Sequence, residues 1–222
     1  MKLLGTVIIT LSLLTAFAEK KADKELSVKP IQEIIEKYNR SSGLKAKVVK
    51  TVKLELLDEI RTSKGEMFFQ KGRVRLDVNE PDNSMMIVGG GTIWIEDEID
   101  AFEGKKKHVT KIHSKQLDRQ MRAPLAALFG RKKAWEEFKV LSGNTKDKVV
   151  TLTLAPKLKR SLEITEMTVV LDSKKKLITQ VSYSDDLDNL VTYSFSDHEV
   201  GIKIPNNKFD YIPPANAEVV SF

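Results

Sequence analysis

The chain is poor in groups that do covalent chemistry. It has no cysteine, so thiol nucleophiles, disulfides and thiolate metal sites are excluded. Serines are frequent, but none sits in a G-x-S-x-G turn. The three histidines are His108, His113 and His198. His108 and His113 stand five apart, which on a strand points them to opposite faces and argues against a shared metal. Asp185, Asp186 and Asp188 lack the glycine and distal glutamate of a calcium loop and read as a hairpin turn. Gly89-Gly90-Gly91 runs into Thr92-Ile93-Trp94-Ile95, a strand pattern. No helix N-terminus follows to meet a phosphate, and the glycines read as a turn. Neither a catalytic set nor a metal set nor a cofactor motif emerges, and the chain is expected not to be an enzyme.

The elements that hold these residues are mostly strands. One helix is expected over Val28 to Tyr38. Ser27 can cap it, Pro30 fits its first turn, and Ile31, Ile34, Ile35 and Tyr38 form one apolar stripe. From Val48 onward the period is two, with Val48, Val52, Leu54 and Leu56 alternating with polar neighbours. Glu66 to Gln70, Arg73 to Asn79, Met85 to Val88 and Thr92 to Glu96 continue the pattern, with short strands expected at Phe102 and over Lys107 to Ile112. Met121 to Phe129 interrupts it with a helical face of Leu125, Leu128 and Phe129, between Pro124 and Gly130. Strands then resume at Phe138, Val149, Glu163, Leu177 and Leu190, with a last short one at Phe209 to Tyr211. Regular short spacing predicts antiparallel hairpin pairing in one curved sheet covered by one or two helices.

Three of these strands are apolar on successive residues: Met67-Phe68-Phe69, Met85 to Val88, and Ile93-Trp94-Ile95. Both faces of the sheet therefore need a cover. A filled two-sided core and an exchangeable ligand on one face are both open at this level.

The first residues read as a leader. Lys2, the apolar run Leu3 to Leu14 and Ala16-Phe17-Ala18 form a secretory signal, with cleavage expected after Ala18. The run falls short of the roughly 20 apolar residues a spanning helix needs. Residues 19–222 are expected to form a single domain, a soluble monomer. The net charge of +6 comes with lysine clusters at 105–107, 131–133 and 174–176, which read as solvated turn tips. Aromatic residues are not interleaved with them, which argues against nucleic acid.

Several segments in order resemble one family. Gly65-Glu66-Met67-Phe68-Phe69, Gly72-Arg73-Val74-Arg75-Leu76-Asp77, Glu80-Pro81-Asp82, Ile87-Val88, Gly91 and Trp94 are similar to the core signature of periplasmic outer-membrane lipoprotein carriers, the LolA family. Leu154-Ala155-Pro156, Phe195, Ile202, Pro205, Phe209 to Pro214 and Val219-Val220 resemble its later segments. The resemblance implies an α+β fold: a strongly curved, incomplete antiparallel β-barrel covered by a helical lid. It implies a periplasmic carrier that holds the acyl chains of lipoproteins. Such a carrier collects them from an inner-membrane ABC-type exporter and delivers them to the outer membrane, through a receptor where one exists. The expected acyl cavity is lined by Phe68, Val74, Leu76, Met86, Trp94, Tyr193 and Phe195, with Leu125, Leu128 and Phe129 on the lid's inner stripe. Lys71 stands where the family's lid-controlling arginine is expected. A sensing module on the same scaffold, acting through a membrane-bound regulator, is the alternative.

Overall fold

The computed structural model describes residues 27–79, 81, 83–102, 104–113, 129, 136, 138–157, 166–185 and 187–221. The leader and cleavage site, together with Leu125 and Leu128, lie outside the described residues.

The chain enters through helix α1 (Lys29–Arg40), with Pro30 in its first turn. The Ser27 hydroxyl accepts a bond from the Lys29 N–H at 3.3 Å, although the cap position itself falls on Val28. Ile31, Ile34, Ile35 and Tyr38 are all buried, as their spacing requires. Six strands follow: β1 (Leu44–Leu54), β2 (Glu59–Gln70), β3 (Arg73–Val78), β4 (Ser84–Gly89), β5 (Thr92–Ala101) and β6 (Gly104–His113). Further along the chain come β7 (Phe138–Lys146), β8 (Val149–Pro156), β9 (Met167–Asp172), β10 (Leu177–Ser184) and β11 (Leu190–Val200), then β12 (Glu218–Ser221).

All twelve strands form one sheet, ordered β12-β6-β5-β4-β3-β2-β1-β11-β10-β9-β8-β7. Strands that follow one another within each half pair antiparallel. The β1–β11 pair, also antiparallel, joins the two halves across the chain. Only β12 runs parallel to its neighbour, β6. No ladder among the described residues joins β12 to β7, so the curled sheet is a barrel left open along one side. The expected incomplete β-barrel is the observed fold.

Cross-strand partners share a face, so the register sorts the side chains into rows. Leu44, Phe69, Val74, Val88, Ile93 and Ile112 make one row of consecutive partners on β1 to β6. The adjacent row on that face is Ala46, Met67, Leu76, Met86, Ile95 and Thr110. This is the concave face. Tyr38 of α1 packs on Phe69 with ring centroids 5.9 Å apart. The α1 stripe, both rows apart from Thr110, and the inner residues of β8 to β11 form one core.

The other face is covered by the C-terminal segment. A 3-10 turn (Asn206–Phe209) and the extended residues after it cross back over β3, β4 and β5. Arg73 stacks over Phe209 at 4.6 Å, and Tyr211 packs on Trp94 at 5.3 Å. The Tyr211 hydroxyl donates to Glu96 at 2.6 Å. Burial works against the charge of Glu96, yet bonds from Lys107 and Tyr211 hold its carboxyl below the usual range. This strap answers the question of the two apolar faces: the helix and Phe129 on the inside, the chain's own tail on the outside.

Two expected elements differ. Phe102 is not in a strand; it tips the β5–β6 turn, fully exposed. The expected strand at Phe209 to Tyr211 is instead the end of the 3-10 turn and an extended strap. The last strand lies later, at β12.

Candidate functional site

The concave face changes character along the barrel. Its first row is wholly apolar. The row beyond the second is Val48, Gly65, Val78, Ser84, Asp97 and His108. One step further, Lys50 on β1 pairs with Ser63 on β2 and Tyr193 on β11. The wall thus grades from an oily floor, against α1, to a polar mouth.

At that mouth lies a cavity of about 490 Å³. Leu76, Met86 and Ile95 line its depth, and Lys50, Tyr183, Tyr193, Asp97 and Arg61 line it nearer the opening. Tyr183 and Tyr193 are hydrogen-bonded to each other. Burial pushes the Tyr183 phenol up to about 12, against the opposing effect of the Tyr193 bond. Leu56, Leu57, Phe102 and Leu187 stand exposed on the turns around the opening. The Asp185 turn is self-contained: its carboxylate accepts from the N–H groups of Leu187 and Asn189, each at 2.9 Å. The Asp185 carboxylate is thereby satisfied within its own turn.

Phe129 closes the floor from above. It is 1% exposed and wedged between Phe69 and Phe195, with ring centroids 6.2 Å from each. Edge-on aromatic packing of this kind adds to the area it buries.

The expected cavity residues divide by strand parity. Val74, Leu76, Met86, Tyr193 and Phe195 face the concave side. Phe68 and Trp94 do not. They belong to a convex row of Lys45, Phe68, Arg75, Ile87, Trp94 and Lys111. Phe68 lies beneath Lys208 at 4.1 Å and Lys45 at 5.7 Å, and Trp94 lies under the Tyr211 strap. Successive residues on a strand point opposite ways, and an apolar triplet does not declare which member faces in. Lys71, the expected gating residue, lies outside the cavity lining. It sits in the β2–β3 turn with φ +49°, exposed, at the floor end of the barrel and away from the mouth. The cations that do border the cavity are Lys50, Arg61 and Lys105. Lys50 was missed because an inward lysine breaks the apolar rhythm; its even spacing from Val48 and Val52 is the signal that finds it.

An outer-membrane lipoprotein carrier protein from Coxiella burnetii (strain CbuK_Q154) is 24% identical over 155 residues, which is 69% of this chain and 68% of that protein. Among solved structures, a LolA superfamily protein from Nitrosomonas europaea aligns over 84% of this chain and 98% of its own, with a TM-score of 0.41 and 8% identity. An uncharacterized conserved protein from Thermus thermophilus aligns over 86% and 98%, with a TM-score of 0.46 and 8% identity. No helix among the described residues is long and apolar enough to cross a membrane. The family model described as outer membrane lipoprotein carrier protein LolA matches residues 39–212, a span from the end of α1 through the strap, and the chain belongs to that family.

Proposed function

We propose that this protein is a periplasmic, non-enzymatic carrier of lipoproteins. After removal of residues 1–18 the mature chain takes the acyl chains of a lipoprotein from an inner-membrane ABC-type exporter. It carries them across the periplasm as a monomer and gives them up at the outer membrane, to a receptor where one is present. The observation that supports this most directly is the graded concave wall: an apolar floor that opens into a cavity. Acyl chains in water are costly, at about 0.8 kcal/mol per buried CH₂, and a portable apolar floor removes that cost without covalent chemistry. An acyl chain is expected to take the place of the Phe129 side chain between Phe69 and Phe195. The exposed Leu57, Phe102 and Leu187 surround the opening where cargo is handed over, and exporter and receptor dock there.

The test is release. Mature protein (19–222) is incubated with membranes that hold a newly made lipoprotein and its exporter, and the soluble fraction is assayed for a one-to-one complex. Release that depends on the protein supports the carrier. Leu76→Glu, on the concave wall, is expected to lower release about tenfold or more. Phe68→Glu, on the convex face, is expected to leave it within about twofold, provided the variant is folded. No release by a folded wild-type protein rejects the carrier reading.

A further inference from the structure

The carrier reading accounts for the floor and leaves unexplained the polar step directly above it. Lys50 is partly buried on the inner face of β1, two residues from Val48, which is 1% exposed. Tyr193 is its cross-strand partner, two residues from Phe195, which packs on Phe129. Tyr183 joins Tyr193 by a hydrogen bond. A lysine at an inward position of a lipid-facing strand is costly to bury unless it has polar work to do. Apolar residues at Val52 and Val191 continue further out on the same strands and line the cavity as well. The donors thus stand where the oily floor gives way to the polar mouth, with Arg61 opposite Val52 further out.

These donors lie at a set depth. Chains lodged on the floor, against Leu76 and Met86, would end at Lys50 and the two tyrosines. The first polar atoms past such chains in a diacylated head are ester carbonyls, which accept hydrogen bonds and donate none. An ammonium has three donors, and each phenol has one. Lys50 and Tyr193 already have partners within the protein, which an ester carbonyl would share or replace. The charge of the lining also selects a neutral head. Lys50, Arg61 and Lys105 are balanced by Asp97, Glu98 and Asp185, so a carboxylate or phosphate gains no net attraction.

We propose that Lys50 and the Tyr183–Tyr193 pair form a subsite for the ester carbonyls at the head of a diacylated cargo, setting how deep its chains sit. This rests on the carrier reading, and the experiment separates the two. The probes are a synthetic peptide bearing an S-dipalmitoylglyceryl cysteine and its dihexadecyl ether counterpart, which keeps the chains and lacks the carbonyls. Binding of each to the mature protein is measured by calorimetry in detergent-free buffer below the probe's aggregation threshold.

Wild-type protein is expected to prefer the ester about tenfold, the scale of one charge-assisted hydrogen bond. Lys50→Met, which keeps length and apolar volume, is expected to bring ester binding down to the level of the ether and so erase the preference. Tyr193→Phe is expected to reduce the preference about threefold. Equal binding of ester and ether by wild type overturns the subsite and leaves the carrier standing. An equal loss of both probes in Lys50→Met also overturns it, because it makes Lys50 a structural residue. Binding of neither probe by folded wild type overturns the subsite and the carrier together.

Discussion

Tyr38 joins the helix to the sheet at two points. Its ring packs on Phe69, and its hydroxyl accepts the N–H of Ile178 at 2.9 Å. That N–H needs it, because the β9–β10 register shifts between Ile178 and Gln180. The carbonyl of the same residue takes a bond from His198 Nε2 at 3.0 Å, so this nitrogen carries the proton. Tyr38→Phe leaves a buried N–H without its partner and is expected to cost about 1–3 kcal/mol, read from urea unfolding. His198 gives a pH dependence. Burial, with Lys175 and Lys37 nearby, holds its pKa below the ordinary 6.5 against the opposing effect of the Ile178 bond. The unfolded chain takes up a proton near that value that the fold resists. Its contribution to stability is therefore complete above pH 6.5 and lost as the pH falls from there toward the lower folded pKa. His198→Gln is expected to flatten the midpoint-against-pH curve in that window; an unchanged slope contradicts it.

At the scale of elements, the curl of the sheet depends on close strand approach. Gly65 on β2 pairs with Val78 on β3. A Cβ built there would lie 1.9 Å from the Asp77 carbonyl oxygen, so no other residue fits without moving β3. Gly65→Ala is expected to destabilise by about 1–3 kcal/mol, as overpacking does, and to weaken hydrogen-exchange protection first along β3. Uniform loss of protection would contradict a local origin. The strands themselves were legible from alternation, as was the α1 stripe, because both are local periods. The Phe102 turn and the strap were not. An exposed phenylalanine at a turn and an apolar Phe209-Asp210-Tyr211 segment each carry a strand-like local pattern, and only their surroundings decide otherwise.

Over the whole molecule, inner and outer surfaces should respond to cargo independently. Trp94 lies outside, under Tyr211, with the sheet between it and the cavity. In a Trp135→Phe variant, where Trp94 is the one remaining tryptophan, its emission is expected to stay constant while a diacylated peptide binds. A shift comparable to that of a reporter placed on the concave wall would contradict the assignment of faces.

The sequence by itself determined a strand-rich chain, its opening helix, the absence of thiol chemistry and an ordered set of segments that resemble lipoprotein carriers. Each of these is carried by local periodicity, by composition or by order along the chain. Only the tertiary structure decided which member of each apolar triplet faces the cavity, since parity on a strand is relative until the sheet curls. It also decided that Tyr211 covers Trp94 and that Phe129 lodges between Phe69 and Phe195. Those contacts join residues far apart in the chain, and no local pattern encodes them.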